Sequence, residues 1–213
     1  YMRLLSEPTM LRALKNTFII TIPSTILVVG VAALAAYALA WIPFKGREAL
    51  FLVIVGLQVV PTQMAFIPAA QIFRLAGIFG TVQGVIFFHL AFGLPFAVFL
   101  LRNFLGNVPR ALLEAAQMDG AGHMVMFWKV LLPLAMPAIA SLSIFQFLWV
   151  WNDMMVALIF AEPANAPLTT AIYSQMRTFA SNVDVIAPGA FLQMLVPLII
   201  FSVFQRQLVQ GIM

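Results

Sequence analysis

The chain reads as an all-α, polytopic transmembrane bundle of five spans, and three observations point there. Hydrophobic residues make up 63% of its 213 positions and charged ones 8%, with a mean hydropathy of +1.05, so too little polar surface exists to cover a core in water. The apolar residues gather in runs that reach bilayer length, about 20 residues at about 1.5 Å each. Those runs are continuous rather than alternating, which excludes a barrel of short strands.

Taken in order, stretches free of Lys, Arg, Asp and Glu cover 17–41, 49–73, 75–101 and 185–205, and a fifth, 130–161, is interrupted only by Asp153. Polar links fall at 42–48, 74–81, 102–130 and 162–184. No soluble domain or internal repeat stands out, so 1–213 is expected to form one transmembrane domain with a polar loop at 102–130. Pro23, Pro61, Pro68, Pro95, Pro137 and Pro197 fall inside these runs. Each frees a backbone carbonyl that hydrocarbon cannot satisfy, which predicts a bundle that bends and lines a path. The chain begins at Tyr1 with no apolar core of signal-peptide length, and a segment ahead of it is expected.

Charge and cysteine content exclude several classes. A formal charge of +4 without a Lys/Arg run gives no nucleic-acid signal and suits loops against anionic lipid. Zero cysteines exclude disulfides, thiolate metal sites and a cysteine nucleophile. His89 has no second ligand at binding spacing, so no metal site is expected. Asp153 is the one acid within a run, which leaves an intramembrane hydrolase without a catalytic pair and an ion-coupled transporter without paired carboxylates. No phosphate-binding G-x-x-x-x-G-K-[ST] loop occurs, so the chain cannot hydrolyse ATP by itself.

The polar loop carries the most specific pattern. Glu114-Ala115-Ala116 is followed after three residues by Gly120, then after nine by Val130-Leu131-Leu132-Pro133. Asn107 and Pro109 predict a helix from about Val108 to Met118, Asp119-Gly120 breaks it, and Asp119 is expected to cap a second helix over 121–131. Phe127 and Trp128 are expected to anchor that second helix at the membrane interface. Ala115 and Ala116 let another surface approach closely, and Glu114 offers it a carboxylate.

This loop resembles the EAA loop of permease subunits of bacterial ATP-binding-cassette importers, meeting each fixed position of the pattern. The resemblance implies the type I importer permease fold. It also implies that Glu114, Ala115, Ala116, Asp119 and Gly120 form a coupling helix docked on a cytoplasmic ATPase subunit. It further implies six spans with both termini in the cytoplasm, hence an N-terminal span ahead of Tyr1, and Tyr1 on the outer side. Charge alone barely orients the chain: Lys45, Arg47, Arg102, Arg110, Lys129 and Arg206 fall on the loop side, and Arg3, Arg12, Lys15, Arg74 and Arg177 opposite.

A second constellation, Trp149-Val150-Trp151-Asn152-Asp153, lies about 20 Å along a helix starting near Pro137, past the midplane. Gln146, Trp149 or Val150, and Asp153 share a face at helical spacing, and aromatic faces beside hydrogen-bonding groups suit sugar rings. An alternative is plain structure: interfacial Trp is common, and Asn152 can bond a neighbouring helix. Gln58, Thr62, Gln63, Gln71, His89 and Gln193 could line a translocation path, but for any single one interhelical packing is the expectation. The Trp-Asn-Asp element is similar to one in carbohydrate-importer permeases of the maltose-type class. Leu14-Lys15-Asn16-Thr17, residues 35–38 and the ending Gln205-Arg206 through Val209-Gln210-Gly211 fit the same group, although its short basic tail is absent.

The resemblance implies a non-enzymatic translocation subunit in a bacterial inner membrane. Its implied partners are a second permease subunit, two cytoplasmic ATP-binding subunits that hold the ATP and Mg, an extracytoplasmic sugar-binding protein, and lipid. The substrate path would include Gln146, Trp149, Asn152 and Asp153. An importer of this kind with another small solute, such as an amino acid or polyamine, is the alternative.

Overall fold

The computed structural model describes residues 7–178 and 183–212, with side chains described except at 178, 183–185 and 205–212. Arg3 and Tyr1 therefore lie outside the described residues, as do the side chains of Gln205 and Arg206 and of the Val209–Gly211 ending.

Among the described residues, three helices are long and apolar enough to cross a bilayer unbroken: α1 (Pro8–Trp41), α4 (Val82–Gly106) and the Ile186–Phe204 part of α10 (Val183–Ile212). Two further crossings are bent. The first joins α2 (Arg47–Leu57) to a 3₁₀ turn (Thr62–Ala65) and α3 (Phe66–Leu75), bent by 97°; the second joins α6 (His123–Leu134) to α7 (Met136–Asn152), bent by 75°. Between them come α5 (Arg110–Met118) in the polar loop, then the short α8 (Met155–Phe160) and the amphipathic α9 (Leu168–Thr178).

The bending expected of the proline-bearing runs is thus seen at 49–73 and 130–161. Helix α2 tightens at its end, with Val59 N–H bonding Gly56 O and Val60 N–H bonding Leu57 O, and stops there because Pro61 lacks an N–H and biases the residue before it away from helix. The second run ends at Asn152, where Asp153 turns extended (φ −67°, ψ 134°). Pro23, Pro95 and Pro197 do lie inside helices. Pro137 instead stands in the first turn of α7, and Pro68 near the start of α3, where a missing N–H costs little.

The core forms where α1 packs along α4 and α7, with α10 closing against α7. Small residues on α1 allow the approach: Ala32 and Ala36 are fully buried against Ala97, Leu101 and Leu142. Gly93 on α4 is a second close approach, since a Cβ there would lie 2.9 Å from the Gln146 amide and 3.1 Å from Val28. Trp151 Nε1 donates to Gln193 O at 2.9 Å and Gln193 Nε2 donates to Trp151 O at 2.7 Å, a reciprocal clasp of α7 on α10. Gln193 is a packing residue, as its lone polarity in a run suggested.

At one end the connections are knitted together. Asn16 Nδ2 donates to Ala164 O and Ala166 O, Leu168 N donates to Thr17 Oγ1, and Asn165 Nδ2 donates to Gly80 O. At the other end Arg102 bonds Glu48 and stacks over Phe51, joining the start of α2 to the end of α4. The polar loop lies at this second end. Lys45 and Ala164 are exposed on opposite ends, and the chain's lack of cysteine makes single thiols clean reporters. Lys45→Cys is expected to react with a membrane-impermeant maleimide only from the cytoplasmic side, and Ala164→Cys only from outside; the reverse pattern would overturn the orientation. Ala121 and Asn165 serve less well, because Ala121 packs on the core and Asn165 is hydrogen-bonded.

Candidate functional site

The polar loop begins with a correction. Asn107 closes α4 in a helical conformation (φ −87°, ψ −8°) rather than opening the next helix. Pro109 keeps the preceding residue out of helix, so α5 starts at Arg110 with Pro109 in the cap position and no side-chain cap. Its end is as the Asp-Gly pair predicts, with a different division of labour. Asp119 is the C-cap, Gly120 follows at φ +80°, Gly120 N–H bonds Gln117 O and Ala121 N–H bonds Ala116 O, both at 2.9 Å. This is a Schellman closure, whose left-handed position favours glycine. A Cβ at Gly120 would meet nothing within 4 Å, so the constraint is the backbone's alone. Asp119 does not cap the second helix; that helix opens at Gly122, also without a side-chain cap.

Helix α5 sits lightly on the bundle. Leu113 is its buried residue and Ala116 packs partly against the core, so the surface that approaches Ala116 is this chain's own. Glu114, Ala115, Asp119 and Gly120 are exposed. So are Leu112 and Met118, the latter at 89%. Behind α5 lies a cavity of about 310 Å³ bordered by Trp41, Arg110, Leu113 and Glu114. Phe127 is buried against Tyr37 rather than serving as an interface anchor; Trp128, 59% exposed, is free to take that place.

After α5, the chain re-enters the bundle through a wide turn at Phe127–Leu131, in which Leu132 N–H reaches back five residues to Phe127 O. Pro133 accounts for it. Proline offers no N–H to the carbonyl four residues back and its ring crowds that carbonyl, so the turn loosens.

The second constellation divides. Gln146 and Trp149 line a groove of about 390 Å³ with Phe92, Gly93, Phe96 and Phe145. Gln146 is 5% exposed, and its Nε2 finds no partner among the described residues. A second groove of about 400 Å³, which includes Gln58 and Thr62, shares the Phe92 and Phe96 wall. Val150 is buried in the core. Asn152 is exposed, its Nδ2 donating to Leu148 O of its own helix at 2.8 Å, so it bonds neither a neighbouring helix nor the groove.

Asp153 stands at the end of α7, where its Oδ2 accepts from Val156 N and Ala157 N at 3.1 and 3.3 Å and so starts α8. His89 Nε2 lies 3.8 Å from the same oxygen, and the His89 ring meets the Trp149 ring edge-on at 5.2 Å. His89 is thus the residue that sequence reasoning set aside: it backs Trp149 from 60 positions away, a pairing no local spacing reveals. Asp153→Ala removes both cap bonds and is expected to destabilise the 153–160 segment by about 1 kcal/mol. Asp153→Asn keeps an acceptor and is expected to cost little, a difference read from protease sensitivity at 155–160 in the assembled complex.

The family model for binding-protein-dependent transport system inner membrane components matches residues 16–212. The chain belongs to that family. It is 43% identical over 203 residues to the osmoprotective compounds uptake permease protein GgtD of Synechocystis, covering 94% of this chain and 68% of the relative. It is 42% identical over 220 residues to the alpha-glucoside transport system permease protein AglG of Rhizobium meliloti, covering all of this chain and 58% of AglG. Among solved structures, that of a bacterial ABC transporter involved in the import of the acidic polysaccharide alginate superposes with a TM-score of 0.83 at 25% identity, over 97% of this chain and 78% of that one. With its several apolar helices, this family member is a multi-pass membrane protein with the fold of ABC importer permeases.

Proposed function

We propose that the chain is a permease subunit of an ATP-driven, binding-protein-dependent importer of carbohydrates, with α-glucosides as the substrate class. The observation that carries the reading is α5: a helix closed by Gly120 whose outward face, Leu112, Ala115 and Met118 with Glu114 beside it, is exposed and has no packing partner among the described residues. An apolar, exposed helix on a short polar loop suits docking into a groove of a soluble protein. The sugar class follows from the 42% identity to the α-glucoside permease and the likeness to the alginate importer.

In this reading the chain is the translocation subunit and not an enzyme. Two cytoplasmic ATPase subunits bind ATP and Mg and hydrolyse ATP, a second permease completes the path in the bacterial inner membrane, and an extracytoplasmic binding protein docks at the knitted end. Glu114, Ala115, Asp119 and Gly120 form the ATPase-facing side, while Ala116 seats the helix on the bundle. Gln146 and Trp149 line the substrate path. Asn152 and Asp153 border it, with Asp153 and His89 holding the Trp149 region in place. ATP-driven closure shifts the bundle between inward and outward states, which requires the ATPase dimer to bind α5 differently in its two forms.

The test is ATP hydrolysis by the purified complex with its binding protein, challenged in turn with an α-glucoside, a β-linked disaccharide, an amino acid and a polyamine. Stimulation by the α-glucoside is expected. Stimulation by the amino acid or polyamine alone would move the chain to the other cargo class.

A further inference from the structure

The loop must not only receive movement from the ATPase but pass it to the spans, and α5 itself is poorly placed to do so. It touches the bundle through Leu113 and Ala116, with a cavity of about 310 Å³ behind it that Tyr37 and His123 also line. A push on α5 can be taken up by tilting into that space. The firm connection lies just beyond Gly120. Tyr37, in the last part of α1 and 5% exposed, places its hydroxyl 2.8 Å from His123 Nδ1 at the first position of α6. The same ring packs on His123 at 6.1 Å and on buried Phe127 at 5.4 Å between centroids. One turn further along α1, Trp41 Nε1 donates to Leu105 O at the end of α4.

We propose that the Tyr37–His123 pair is the strut that delivers movement of the coupling loop to α1, making both positioning residues for the transport cycle. α1 is the element packed most extensively in the core, against both α4 and α7, so a displacement applied at Tyr37 reaches the centre of the bundle. The hydrogen bond sets the direction of this transfer, because the two rings alone can slide over each other while a 2.8 Å bond fixes their offset. The loose turn at Phe127–Leu131 lies immediately after the joint. It lets the first turn of α6, His123–Met126, move without dragging α7 with it.

The inference rests on the ATP-driven reading above, and its test does not need the cargo to be known. In the complex purified with its ATPase subunits, a thiol at Lys15→Cys, exposed at the far end of α1, is labelled with an impermeant maleimide in the nucleotide-free and ATP-trapped states. The expected result is a nucleotide-driven change in labelling rate that Tyr37→Phe reduces by about fivefold, the low end of measured couplings between sites. ATP hydrolysis without binding protein stays at its usual rate, since Tyr37 is buried and takes no part in the exposed face of α5. His123→Asn offers an amide near the Nδ1 position, able to accept from or donate to the hydroxyl, and is expected to keep the full change. The Tyr37→Phe/His123→Asn double variant should match Tyr37→Phe alone, as it does when two residues act through one bond. An equal nucleotide-driven change in Tyr37→Phe, or none with the unaltered Tyr37–His123 pair, overturns the strut. Failure of any ATPase subunit to associate would instead overturn the importer reading.

Discussion

Glu114→Lys is expected to leave the chain inserted in the membrane but to recover little or no ATPase subunit with it. Glu114 is exposed beside the outward face of α5 and makes no ion pair among the described residues, so reversing its charge is expected to spare the fold. In the proposed docked complex, the carboxylate faces a partner groove that excludes water. Losing a charge pair in such a place, and putting a like charge there, costs about 2–5 kcal/mol. That corresponds to roughly a thirtyfold or greater loss of association. Gly120→Val attacks the same docking from the backbone. The left-handed position costs a residue with a Cβ about 1–2 kcal/mol, more for a branched one, and the open space around Gly120 means that no clash contributes. Gly120→Asn, tolerated at that conformation, is the control and should associate nearly normally. Co-purification of the ATPase with each variant, measured against total inserted chain, gives the answer. Normal recovery with Glu114→Lys would remove α5 as the docking element.

How much of this was legible beforehand follows from what each signal reports. The five apolar runs gave the crossings because hydrocarbon leaves the backbone few ways to satisfy its polar groups. The break after Met118 was legible because Gly120 is required by a conformation, which needs no knowledge of neighbours. A bend near Pro61 was legible in kind, since a proline inside an apolar run frees a backbone carbonyl, but its 97° was not, because a proline says that the helix is interrupted and not by how much. Asn107 misled because cap preference was applied without asking whether the preceding helix still held that residue. Asp153 was placed in a substrate path by helical phase. The structure adds that helix α7 ends there and that its carboxylate is occupied with the N–H groups of Val156 and Ala157. The groove itself depends on α4 meeting α7 at Gly93, and on Phe92 and Phe96 facing Gln146 across some 50 positions of chain. Sequence periodicity names the faces of one helix but not which faces meet.

Trp149→Ala is expected to lower carbohydrate transport by about tenfold while assembly and basal ATP hydrolysis stay near normal. The ring is 39% exposed at the groove, so removing it opens the wall toward the path more than it hollows the core. Aromatic contacts contribute about 0.5–1.5 kcal/mol beyond their buried area, and 1.4 kcal/mol is a factor of about ten. Trp149→Phe retains a face for a sugar ring and should keep most transport. Gln146→Leu separates the polar part of the site. Its Nε2 has no partner among the described residues, so the replacement leaves none of their buried groups bereft and should not destabilise the chain. A hydroxyl on the substrate loses its partner instead, and the substrate concentration for half-maximal transport should rise several-fold with the maximal rate little changed, as when uniform binding is removed. If Trp149→Ala and Gln146→Leu both transport like the unaltered chain, the groove serves helix packing or the second permease, and the substrate path must be sought on other residues.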